Sequence, residues 1–235
     1  MLLVLFVTAC LGLCRLGWWQ LDRAAEKRER YDAFMAAHEQ EPIAFELLSD
    51  PAAGDYLWRR TTTTGRYQPL TFLLDNRSRE GRPGYEVLSP LVTTGGRSVL
   101  IHRGWLMQPP TRAQVPALPA PDGSVTVSGY FGPEPVVGLK FSEAADQVEN
   151  LAPGIWRMQR VDLGAIGDLA GARLWPDIIY LDAEQTGAFA VDRKLPGDGS
   201  AKHHAYAVQW FAMATVLAFI GLWNLKYRNT GKTRV

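Results

Sequence analysis

Cysteine is nearly absent from this chain of 235 residues, and the two that occur, Cys10 and Cys14, fall together in the first apolar run. The rest of the chain therefore has no disulfide framework, and its stability must come from burial. At i and i+4 of an apolar helix, with no soft or imidazole ligand near them in sequence, the two thiols read as packing or lipid-facing groups rather than as a copper site. Histidine is scarce too, with four in all. No G-x-S-x-G, HExxH, P-loop or dinucleotide-type glycine pattern occurs, so an enzymatic reading finds no convergent set of groups to carry it. A basic surplus is missing where it would matter: residues 22–202 hold 20 Lys and Arg against 24 Asp and Glu, which gives no case for nucleic-acid binding.

What the chain has in quantity is apolar sequence at its two ends. Residues 205–225 form a run of 21 without a formal charge, which as a helix reaches roughly 31 Å, one crossing of a bilayer. Lys202, His203 and His204 precede it, and Lys226, Arg228, Lys232 and Arg234 follow it. Tyr206 and Trp210 near one end, with Trp223 and Tyr227 near the other, suit two headgroup layers. Residues 1–21 are apolar apart from Arg15 and Gln20 and close on Trp18 and Trp19. A signal peptide competes with the membrane-span reading, but no positive n-region precedes the run and no small-x-small cleavage site follows it. Residues 7–10, VTAC, have a loose likeness to a lipoprotein cleavage box.

Two spans put both termini on one side, and the basic tail at 226–235 assigns that side to the cytoplasm. The expected order is a transmembrane helix over 1–21, an extracytoplasmic β-rich domain over 22–202, a second transmembrane helix over 203–225 and the tail. The domain begins as a helical extension to about His38, with Tyr31, Phe34 and Met35 on one side, and Pro42 stops it. Short runs rich in β-branched and aromatic residues then predict strands at 58–67, 71–75, 85–93, 97–104, 124–131, 155–161 and 177–181. Hairpin turns are expected at NRSREGRPG and TTGG, a stiff surface loop at the five prolines of 109–123, and a short helix capped by Asp162. Many short strands with few helices predict an antiparallel, barrel-like sheet, an α+β domain. Residues 184–202 read as the tether back to the second span.

One stripe of the second span carries the chemistry worth weighing. At about 100° per residue, His203, Ala207, Trp210 and Ala214 share a face, with Tyr206 beside it. Two readings fit. The small residues let a flat macrocycle approach, its iron bound by the imidazole and its edge covered by the indole. Alternatively the histidines are interfacial polar groups and the alanines let two helices pack. In the domain, His102 reads as a structural histidine on a strand. Arg66, Arg77 and Arg103 either converge on an anion or decorate the sheet surface.

Several segments together resemble the Surfeit locus protein 1 family of terminal oxidase assembly factors. They are LGWWQLDRAAEKR (16–28), GRY (65–67), FLLDNR (72–77), GYEVLSPL (84–91), RGWL (103–106) and HHAYAVQWFAMA (203–214), in the family's order. His102 departs from the Asn that often precedes Arg-Gly-Trp, and residues 109–154 match only in general character. The resemblance implies a β-rich domain held by two helices on the outer side of a bacterial inner membrane, or of the mitochondrial inner membrane in a eukaryote. It implies a role in maturing haem–copper oxidase, with the oxidase catalytic subunit, and perforce the lipid bilayer, as partners and the haem synthesis enzymes as further ones. It also implies haem a bound by a histidine at the start of the second span, which by register is His203, with Tyr206 and Trp210 as walls. A scaffold that clamps the oxidase subunit without any cofactor is the alternative.

Overall fold

The fold is that of a computed structural model, which describes residues 2–48, 56–119, 121–135, 148–191 and 199–231. The chain divides into two compact units, residues 1–35 with 194–235, and residues 36–193. Three α-helices, α1 (Leu2–His38), α2 (Leu163–Ala170) and α3 (Ser200–Gly231), are present among the described residues. Part of the tether, residues 192–198, and the end of the basic tail, residues 232–235, lie outside them, as do residues 49–55.

In the first unit α1 and α3 form an antiparallel hairpin whose register is set by small residues. A Cβ on Gly17 would meet the Phe211 ring at 2.7 Å, and one on Gly221 would meet the Phe6 ring at 2.1 Å. Each glycine is therefore a notch that takes a ring from the other helix. The Phe211 ring also meets Trp18 edge-on, with centroids 6.1 Å apart. Ala24 of α1 and Ala207 and Ala214 of α3 are buried along the same seam, while Leu11, Leu16, Val208, Val216 and Phe219 point outward and are exposed. An apolar outside around a small-residue seam is how helices associate in lipid, where packing rather than water exclusion holds them together. Both helices are long and apolar enough to cross a membrane.

Among the described residues the second unit has nine strands: β1 (Ile43–Ala44), β2 (Arg60–Tyr67), β3 (Thr71–Arg79), β4 (Arg82–Thr93), β5 (Ser98–Met107), β6 (Val125–Gly132), β7 (Glu149–Ala152), β8 (Ile155–Met158) and β9 (Ile178–Leu181). The order β2-β6-β9-β5-β4 returns to β2 through the pairing of residues 65–67 with 91–93, which closes a five-stranded barrel. Strands β3, β8 and β7 extend the sheet from the other end of β4. The expected barrel-like sheet is thus present, and its pairing is mainly antiparallel. Three pairs, β1–β2, β3–β8 and β5–β9, are parallel.

Alternation along the strands separates two apolar faces. Leu91, Val99, Ile101, Val127, Phe131, Ile179 and Leu181 fill the barrel with Phe45 and Trp175. Phe72, Leu74, Leu88, Leu100 and Ile178 face the other way and pack with Ile166 of α2. That helix begins as expected, with the Asp162 carboxylate accepting from Ala165 N–H at 3.0 Å. Two local expectations fail. The segment NRSREGRPG is mostly strand: β3 and β4 run on to Arg79 and Arg82, and the turn is Glu80–Gly81, both at positive φ, which suits a two-residue primed hairpin turn. Strand β7 was not expected, because ENLA has neither alternation nor β-branched residues to mark it.

Candidate functional site

His203 lies in the first turn of α3, half-buried, and its Nδ1 stands 2.6 Å from Oε1 of Gln20 on α1. A carboxamide oxygen only accepts, so Nδ1 carries the proton and Nε2 of the neutral ring carries the lone pair. Gln20 is only 9% exposed on an otherwise apolar stretch of helix, where its side chain needs a partner. In the sequence it stands as a polar exception in an apolar run. Its partner is 183 residues away, so no local pattern discloses it.

Of the other members of the stripe, Trp210 is half-buried and Tyr206 is 51% exposed. Ala207 and Ala214 are buried where the register of Gln20–His203 and Gly17–Phe211 places α1. His204 turns away from the seam and is exposed, its Nδ1 within 3.1 Å of the Ser200 carbonyl oxygen. Cys10 and Cys14 are half-buried free thiols. No group of three or more His, Cys, Asp or Glu is gathered for a metal ion among the described residues.

In the barrel unit the three arginines do not converge. Arg66 is exposed on β2, Arg77 pairs with Glu86 at 3.4 Å, and Arg103 is completely buried. A bulge puts it there: Val87 pairs with Gly104 and Leu88 with His102, which leaves Arg103 as the extra residue of β5 and re-aims its side chain. Its guanidinium donates to the carbonyl oxygens of Gly187 at 2.9 Å and Pro119 at 2.5 Å and to Ser89 Oγ at 3.3 Å. It also lies over the rings of Tyr67 and Phe189 at 5.2 and 4.9 Å. Burial lowers its pKa and, more strongly felt, pushes the Tyr67 hydroxyl up to about 12, with the two groups opposing each other's shift. Gly104 has φ +111, and a Cβ there would meet the Ala190 carbonyl oxygen at 2.9 Å. Arg-Gly-Trp is thus a clasp that holds residues 187–190 against the barrel, completed by Trp105 N–H to the Ala190 carbonyl at 2.7 Å.

His102 faces the outside of the sheet, where Glu86 Oε2 is 3.5 Å from its Nε2 and the Tyr180 ring stacks on it at 4.5 Å. Burial alone would raise the Glu86 pKa, but the His102 hydrogen bond and the charges of His102 and Arg77 outweigh it and hold the carboxyl below its usual range. This histidine is part of a packed, paired cluster.

These features define a class: a protein whose β-barrel is filled by its own side chains and lies in the sequence between two helices that are candidates for crossing a membrane, with a positioned imidazole at the start of the second. The chain belongs to the SURF1 family, whose model matches residues 7–215. It is similar to SURF1-like proteins of Mycobacterium bovis and Mycobacterium tuberculosis, themselves described as uncharacterized, at 30% identity over 233 residues, which is 96% of this chain and 82% of each relative.

Proposed function

We propose that the chain serves in assembling a haem–copper terminal oxidase, holding haem a at His203 and passing it to, or stabilising it in, the oxidase catalytic subunit. Membership of the SURF1 family, which is linked to oxidase assembly, supports the general role. The observation that carries the finer reading is the hydrogen bond from His203 Nδ1–H to Gln20. A ligating histidine characteristically donates its second nitrogen to an oxygen that fixes its tautomer and orients the ring, which leaves Nε2 for the iron. Trp210 and Tyr206 supply aromatic walls on the same end of α3. Haem is cargo here, so one protein ligand and an open site suit release.

In this reading residues 1–21 and 203–225 are embedded in a bacterial inner membrane, the tail faces the cytoplasm and the β-barrel domain of residues 22–202 faces outward. The oxidase catalytic subunit is the partner. A cofactor-free scaffold is the second reading, and one observation favours it: Ala207 and Ala214, the small residues that would admit a macrocycle, are buried in the hairpin. Membranes containing the overproduced chain, supplied with haem a and solubilised, separate the two. A bound-haem spectrum in the wild type that is lost in His203→Ala supports the carrier, whereas a wild type that binds no haem while still supporting oxidase assembly leaves the scaffold.

A further inference from the structure

Arg15 is a formal charge inside the first apolar run, and it is exposed on α1. Among the described residues it has no ion pair, and the next acid along the chain, Asp22, lies about two turns further out. Thr8, Gly12, Arg15 and Trp19 recur at i, i+4, i+7 and i+11, so they share one stripe of the helix. Gly17, Gln20 and Ala24, which meet α3, are buried about half a turn away. The stripe therefore looks outward, and the hairpin leaves it uncovered. Its surface beside Arg15 is low: a Cβ on Gly12 would meet nothing within 4 Å, and Thr8 turns its hydroxyl back to the Val4 carbonyl at 2.9 Å. A shallow hollow lined by Val4, Leu5, Thr8 and Ala9 continues it. Small residues of this kind let a second helix come close in lipid.

The cation decides what kind of helix that is. Arg15 lies four residues, about 6 Å, inside Trp19, and helical side chains lean toward the N-terminus, which here is the middle of the bilayer. Reaching the Trp level means turning against that lean. The guanidinium over the Trp19 ring, 5.8 Å from its centroid, is that of Arg23. A charge left in hydrocarbon is costly and calls for an opposite charge at its own depth. This chain cannot supply one: residues 1–21 and 203–225 hold no Asp or Glu, so a second copy would leave the cation unmet. We infer that this stripe of α1 docks a transmembrane helix of another protein, whose Asp or Glu pairs with Arg15 inside the bilayer. The inference rests on the reading of α1 as a membrane span and is independent of haem.

The test places the photoreactive residue p-benzoylphenylalanine at Leu11, exposed one turn from Arg15, in the full-length chain in native membranes, and maps the crosslinked peptides by mass spectrometry. The expected product is an apolar run of span length with an Asp or Glu in its interior. Its yield should fall at least about ten-fold in Arg15→Leu, as when one member of a desolvated charge pair is removed, while Arg15→Lys, which keeps the charge, retains most of it. Changing the mapped acid to its amide should reproduce the loss. Crosslinks confined to lipid, to a second copy or to a helix without an interior acid overturn the inference, as does an undiminished yield in Arg15→Leu. Alkaline carbonate extraction of the wild type and of Arg15→Leu is run alongside: release of the wild type refutes the membrane reading itself, and retention of both confines any failure to the stripe.

Discussion

Replacing Arg103 separates two roles that its burial confounds, the charge and the fork. The guanidinium donates to acceptors on three segments, at Gly187, Pro119 and Ser89, and a hydrogen bond from a charged group contributes about 1.5–3 kcal/mol net. Its position over two rings adds about 0.5–1 kcal/mol for each. Against these stands the cost of a cation in the interior, several kcal/mol, and none of these three acceptors is a carboxylate that would offset it. Arg103→Met removes the bonds and the cost together, so the expected loss is about 2 kcal/mol. Arg103→Lys keeps the cost while a point-like ammonium reaches one or two of the three acceptors, so the expected loss is larger, about 3–5 kcal/mol. At roughly 2–4 °C per kcal/mol for a domain of this size, the Tm should fall by about 5 °C for Met and about 10 °C for Lys. Thermal unfolding of the full chain in detergent, followed by circular dichroism in the β region, reads both. A lysine variant as stable as the wild type, or more stable than the methionine variant, would refute the clasp.

Three further outcomes follow from the same structure. Gln20→Leu should weaken haem binding by about 10–100-fold while Gln20→Glu, which keeps an acceptor, retains most of it, as read by spectral titration; equal effects of the two would remove the orienting role. Gly17→Leu drives a side chain into the Phe211 ring and should abolish close approach of α1 and α3, measured by crosslinking between cysteines introduced at exposed positions flanking the seam; crosslinking at the wild-type rate would contradict the notch. Because the Glu86 pKa lies below its unfolded value, the unfolded chain binds more protons in acid. The stability this confers is therefore full above the unfolded pKa, near 4.5, and is lost as pH falls through the folded value. Glu86→Gln should flatten that limb of a urea-midpoint profile, and an unchanged profile would show that the pair contributes nothing.

The hairpin and most strands were legible because their signals are periodic and local. The apolar runs, the Trp pair, the Asp162 cap and the β-branched and aromatic runs of β2 and β5 each fix an element within a few residues. Pairing was less legible. The parallel partnership of β5 with β9 joins residues about 78 apart, and nothing local in either strand records its neighbour's direction. Arg103 illustrates a deeper limit. An arginine on a strand reads as a surface residue, and its burial depends on a bulge and on carbonyl groups of loops at 119 and 187. Gln20 has the same character: the sequence shows a polar residue in a span, while the reason for it lies on the other helix.

The sharpest trial of the haem assignment is chemical rescue at the proposed ligand position. His203→Gly in the full chain should lose the absorption band of ligated haem a, and free imidazole, diffusing to the vacated place, should restore it in a saturable way. Were the glycine variant to bind haem as the wild type does, with imidazole making no difference, His203 would not be the ligand.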